Sequence, residues 1–116
     1  MPGGTVKVAD EAMEIEDRAG CTIWFKRKLT APIEIEYDVT VVSKGGPSDR
    51  VSDVNCFWMA NERGEMADVA RTVPRKRSGR FSEYHTLLTY YTGMGGNNNT
   101  TTRFRRYDGT GERPLM

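Results

Sequence analysis

Metal ligands are scarce in this 116-residue sequence: it has one histidine, His85, and two cysteines, Cys21 and Cys56, with no C-x-x-C pair. That excludes a structural zinc framework, and neither a metal site nor a cofactor is expected. The two thiols allow one disulfide. Both fall on the apolar phase of predicted strands, where a free cysteine behaves as a small buried hydrophobe. Long apolar runs are missing too, since none approaches the roughly 20 residues that span a bilayer. The opening residues MPGGT carry neither the basic nor the apolar region of an export signal. Charge of one sign is also lacking. Seventeen basic against 16 acidic side chains leave a net charge of +1, so no overall field draws the chain to nucleic acid or to an anionic membrane. Neither is expected as a partner. The basic run PRKRSGR at 74–80 reads as a solvated loop between strands.

What is present is β-type alternation along one domain, residues 1–116. Residues 5–8 and 12–16 flank a polar turn and predict a hairpin, with Met13 and Ile15 on one face and Glu14 and Glu16 on the other. Residues 21–26 (CTIWFK) alternate again, with Trp24 on the face opposite Cys21, Ile23 and Phe25. Pro32 marks a strand entrance. The plainest strand is 33–41 (IEIEYDVTV), apolar or aromatic at every odd position and polar at every even one. Residues 54–60 (VNCFWMA) predict a more fully covered strand. Residues 61–72 are the only stretch with helical character, interrupted at Arg63-Gly64. Strands at 86–92 and 100–107 close the chain. Seven or eight strands with almost no helix predict an all-β antiparallel sandwich of the jelly-roll kind. The sandwich is expected to be incomplete, with sheet edges open to pairing.

The segments IEIEYDVTVV (33–42), PSDRVSDVNCFWMA (47–60) and SGRFSEYHTLLTYYTGMGGNNNTTTRFRRYDGTGERPL (78–115) resemble an uncharacterised bacterial family of concanavalin A-like jelly-roll domains. That family is related to proteins encoded beside pectin and rhamnogalacturonan degradation enzymes. The resemblance covers almost the whole chain. It implies a carbohydrate-binding or carbohydrate-active domain, and full-length relatives that are exported and extend beyond both ends of this chain. A homodimer that exchanges strands is one way to fill the missing positions.

The stretch GGNNNTTTRFRRYDG at 95–109 carries the candidate chemistry. On a strand, Thr101, Arg103, Arg105 and Tyr107 point one way, while Phe104 and Arg106 point the other. Guanidinium forks bind carboxylates in bidentate fashion, so the first row suits an acidic, uronate-containing poly- or oligosaccharide. The alternative is a cross-strand ladder in which these arginines pair with Glu34, Glu36 and Asp38. Arg106 is expected to meet a carboxylate such as Asp49 or Asp53. Asn97, Asn98 and Asn99 suit either a sugar-reading loop, with Asn99 as the contact, or a tight turn.

Trp58 is a candidate sugar platform and equally a core residue; Trp24 is a second possible platform. A lyase needs a cation at the uronate carboxylate and a base near the C5 proton, for which His85 and Tyr91 are the candidate catalytic residues. Tyr90 and Tyr91 point to opposite faces, so only one can join a site. A hydrolase needs two carboxylates, and Glu34, Glu36 and Asp38 supply that pattern on what also reads as an ordinary solvent-facing strand. Set against all of these is a non-catalytic fragment that assembles through its open edges.

Overall fold

The computed structural model describes residues 4–51, 53–64 and 77–116. The described fold is nearly all β, in two antiparallel sheets. The first is a hairpin of β1 (Thr5–Ala9) and β2 (Ala12–Glu16). Its turn residues Asp10 and Glu11 have φ of 50° and 62°, the left-handed pair that a two-residue hairpin turn demands. Val6 faces Ile15 and Val8 faces Met13 across the ladder, so all four apolar side chains share one face, and all four are exposed.

The second sheet has the order β3-β4-β5, from β3 (Val54–Glu62), β4 (Leu87–Gly95) and β5 (Thr101–Asp108). Strand β4 shows the period of two most clearly: Leu87, Thr89, Tyr91 and Gly93 are buried, while the residues between them are half-buried or exposed. The buried face holds the core. The 3-10 turn Phe81–Tyr84 lies over it, and the Phe57 ring stands 5.0 to 6.2 Å from those of Phe81, Tyr84, Tyr91 and Tyr107. Such pairs contribute about 0.5–1.5 kcal/mol each beyond their burial. Trp24 packs on Tyr84 at 6.0 Å; it is part of this core and not a platform. The opposite face carries Trp58, Tyr90 and Phe104 as a near-parallel row of rings 5.6 to 6.2 Å apart. Residues 114–116 lie along the outer edge of β5, through Arg106 N to Pro114 O at 3.3 Å and Met116 N to Phe104 O at 3.1 Å.

Three expectations are corrected. Residues 33–41 and 21–26 form no strand. The odd residues of the first, Ile33 to Val41, stay 40–49% exposed. Alternation decides only where side chains would point; a strand also needs a backbone partner for its N–H and C=O groups, and among the described residues these segments join no ladder. Cys21 is accordingly exposed, while Cys56 is half-buried, and both are free thiols. Five strands are described in place of seven or eight.

The helical expectation at 61–72 fails at its start, because Asn61 and Glu62 finish β3; residues 65–72 lie outside the described residues, as do 74–76 of the basic run. Arg77, in the middle of that run, is not solvated. It pairs through Nη1 and Nη2 with the two carboxylate oxygens of Glu62 and donates from Nε to the Glu83 carbonyl at 2.7 Å, which ties the turn before β4 to the end of β3. Among the described residues no helix is long and apolar enough to cross a membrane.

Candidate ligand-binding site

The buried face of the second sheet changes character toward the β4–β5 connection. Register places Asn55, Gly93 and Arg103 in one cross-strand row and Phe57, Tyr91 and Arg105 in the next. Because Gly93 has no side chain, the Tyr91 phenol lies over it: a Cβ built on Gly93 would stand 2.0 Å from Tyr91 Oη. There the phenol donates to Asn55 Oδ1 at 2.9 Å. Burial, and behind it the Asp53 carboxylate, push the Tyr91 phenol above its ordinary value, while Arg105, Arg103 and Arg113 pull the other way. At neutral pH Tyr91 is therefore a proton donor.

The connection is shaped by its asparagines. Asn97, Asn98 and Asn99 all have left-handed φ, 52°, 57° and 62°, a region that asparagine tolerates better than other residues with a Cβ. Thr100 closes the turn with its amide to Gly96 O at 3.0 Å and its hydroxyl to Asn97 O at 2.7 Å. The asparagines thus build the turn, and Asn97 and Asn98 also reach the site.

A cavity of about 460 Å³ opens here, lined by Arg50, Arg103, Arg105 and Arg113 against one carboxylate, Asp53. Tyr91, Asn97, Asn98 and Thr101 complete its polar wall. Arg50 Nη2 holds Asp53 Oδ2 at 2.6 Å, and Asp53 sits at φ 58° with its amide on Gly95 O at 3.1 Å. Arg105 donates from Nη1 to the Arg113 carbonyl. Among the described residues, no ion pair occupies Arg103, Arg105 or Arg113. The anticipated ladder with Glu34, Glu36 and Asp38 is not formed. These three acids do not line the cavity.

The structure brings Thr101, Arg103, Arg105 and Tyr91 together at this cavity and separates the other candidates from it. Trp58 is on the opposite face, stacked against Phe104 at 5.6 Å and 8°; β3 presents Phe57 and Trp58 to opposite sides, so it cannot join the arginine row. Tyr107 is on the arginine face but 1% exposed, stacked on Tyr91 at 5.6 Å, and burial pushes its phenol up to about 12. Asn99 is in the turn but off the cavity lining; Asn97 and Asn98 line it in its place.

His85 lies behind the site, edge-on to Phe81 and Tyr107 at 5.1 and 5.7 Å. Its Nε2 is buried with no hydrogen-bond partner among the described residues. Burial, then Arg113 and Arg105, hold His85 below its ordinary value. Arg106 finds neither expected acid, since Asp53 is taken by Arg50 and Asp49 accepts from the amides of Gly45 and Gly46 at 2.7 and 3.0 Å. Sequence reasoning missed Arg50, Asp53 and Arg113 as site residues. They come from loops without periodicity, and nothing in their local sequence points at the sheet.

Chemically, the cavity offers guanidinium donors for an anion and amide, hydroxyl and phenol groups for neutral polar atoms. It offers one carboxylate, already paired, and among the described residues no His, Cys, Asp or Glu cluster that could hold a metal. The family described as a domain of unknown function, DUF6250, matches residues 15–116, and the chain belongs to that family. No curated protein and no solved structure matches the chain.

Proposed function

We propose that this chain is a carbohydrate-recognition domain for acidic, uronate-bearing saccharides, its two sheets being parts of a jelly-roll sandwich. The observation that carries the reading is the excess of guanidinium in a concave site: four arginines line one cavity with a single carboxylate, and three of them form no ion pair among the described residues. A carboxylate engaging an arginine fork gains charge-assisted hydrogen bonds that a neutral sugar does not. Asn97, Asn98, Thr101 and Tyr91 supply hydroxyl-reading groups around it. Among the described residues of this cavity, hydrolysis by paired carboxylates finds one, Asp53, already held by Arg50, and His85 as a base for elimination does not line it; binding is what the arrangement favours.

A thermal-shift series with oligogalacturonate against neutral oligosaccharides tests this. A ligand at 100 times its Kd stabilises the fold by about 2.7 kcal/mol, so the acidic series should raise Tm and the neutral series should not. Equal shifts from both, or no shift from either, would end the proposal.

A second reading rests on the hairpin. Val6, Val8, Met13 and Ile15 present one apolar face at 49–79% exposure, which suits assembly through uncovered sheet surface in a homodimer. Light scattering across a dilution series separates this reading from a monomer.

A further inference from the structure

A second cavity, about 410 Å³, adjoins the first; Arg105 and Arg113 line both. The partition between them is fixed by the backbone. Arg105 bridges to Leu115, the Arg106 amide donates to Pro114 O at 3.3 Å, and the Arg105 guanidinium holds the Arg113 carbonyl. A guanidinium has five N–H donors, so one bond to Arg113 leaves Arg105 with donors for ligand groups on both sides. The chemistry on the two sides differs. Arg50, Arg103 and Asp53 belong to the first cavity alone, Glu112 to the second alone. The first is strongly cationic. The second sets an acceptor carboxylate beside the two shared guanidiniums, a combination that accepts hydroxyl protons while the arginines donate.

Resting on the uronate reading above, we propose that the two cavities are consecutive subsites of one groove, and that the ligand is a linear oligosaccharide rather than a single acidic sugar. Its uronate carboxylate lies on Arg103 and Arg105, and the adjoining residue crosses Arg105 to present hydroxyls to Glu112. A monosaccharide fills one cavity and leaves the other to water. A chain of two or three residues gains the second set of contacts without a second loss of translational freedom.

The test is calorimetric titration of the full chain with α-1,4-linked galacturonate from the monomer to the hexamer. Affinity is expected to rise about tenfold or more between monomer and trimer and then level off. Arg103→Ala weakens every length. Glu112→Gln, which replaces the ionised acceptor of the second subsite with a weaker neutral one, weakens the trimer severalfold more than the monomer. An affinity flat from monomer to hexamer overturns the two-subsite groove while leaving the uronate site standing. So does a Glu112→Gln variant that binds the trimer as the parent chain does, or that shifts monomer and trimer equally. Absence of binding at every length removes the uronate site and the groove with it.

Discussion

The Tyr91 phenol donates to Asn55 Oδ1 at 2.9 Å across the bare backbone of Gly93. The three positions come from two neighbouring strands, and the glycine makes the contact possible. A methyl group at position 93 meets Oη at 2.0 Å, Cζ at 2.6 Å and Asn55 Oδ1 at 2.9 Å. Gly93→Ala should therefore expel the phenol from its seat and cost about 1–3 kcal/mol of stability by overpacking. In a Tyr91→Phe background the same change should cost less, because the closest clash is gone. Chemical denaturation of the two singles and the double measures that coupling; a fully additive cycle rejects the contact.

The arginine surface gives a prediction on binding. Arg103→Ala should weaken acidic oligosaccharide binding by about 1.5–3 kcal/mol, the range for a hydrogen bond to a charged group, with the fold intact because Arg103 is exposed. Arg103→Lys should recover only part of the loss, since an ammonium lacks the planar fork. Arg105→Ala should reduce binding and also loosen the 114–116 segment by releasing the Arg113 carbonyl. Titration calorimetry paired with thermal melts separates the two effects.

Trp58 supplies the matching control. It stacks on the face opposite the arginines, so Trp58→Phe should lower stability modestly and leave acidic-saccharide affinity where it was. An affinity loss in that variant as large as that of Arg103→Ala would place the ligand on the wrong face in our account.

Arg77 and Glu62 form an ion pair whose side chains are 7% and 11% exposed. The carboxylate raises the guanidinium above its ordinary value. Removing one partner of such a pair leaves the other charge buried, at a typical cost of about 3–5 kcal/mol. Glu62→Ala, which leaves the Arg77 guanidinium without its carboxylate, should destabilise to that degree in urea unfolding, while the joint replacement of both by apolar residues of similar volume should cost less.

His85 sets a pH dependence. Its folded-state value lies below that of the unfolded chain, so on acidification the unfolded chain takes up the proton first. Stability contributed by the neutral ring is complete above the ordinary histidine range of about 6.5, falls as the pH drops through that range toward the folded-state value, and is level below it. His85→Phe should flatten this stretch of the stability profile while keeping the edge-on contacts to Phe81 and Tyr107. An unchanged slope between pH 7 and 5 would show that another group titrates there.

Local pattern was enough for the hairpin, for β3 to β5, and for the sidedness of Arg103 and Arg105 against Phe104 and Arg106. Those features depend only on the period of two and on turn residues whose backbone preferences are intrinsic. The segment 33–41 had the plainest alternation of all and forms no strand, because strand formation needs hydrogen-bonding neighbours that its own residues cannot specify. Three of the four cavity arginines illustrate the same division from the other side. Arg105 sits on a strand whose periodicity already aimed it, but Arg50 and Arg113 reach the cavity through loops, and Trp58 leaves it because β3 turns that ring to the far face. Side-chain direction along one strand is a local property and is written in the sequence. Which strands pair, which loops fold over their ends, and whether Tyr91 may lie across Gly93 are contacts between distant residues, and only the tertiary structure decides them.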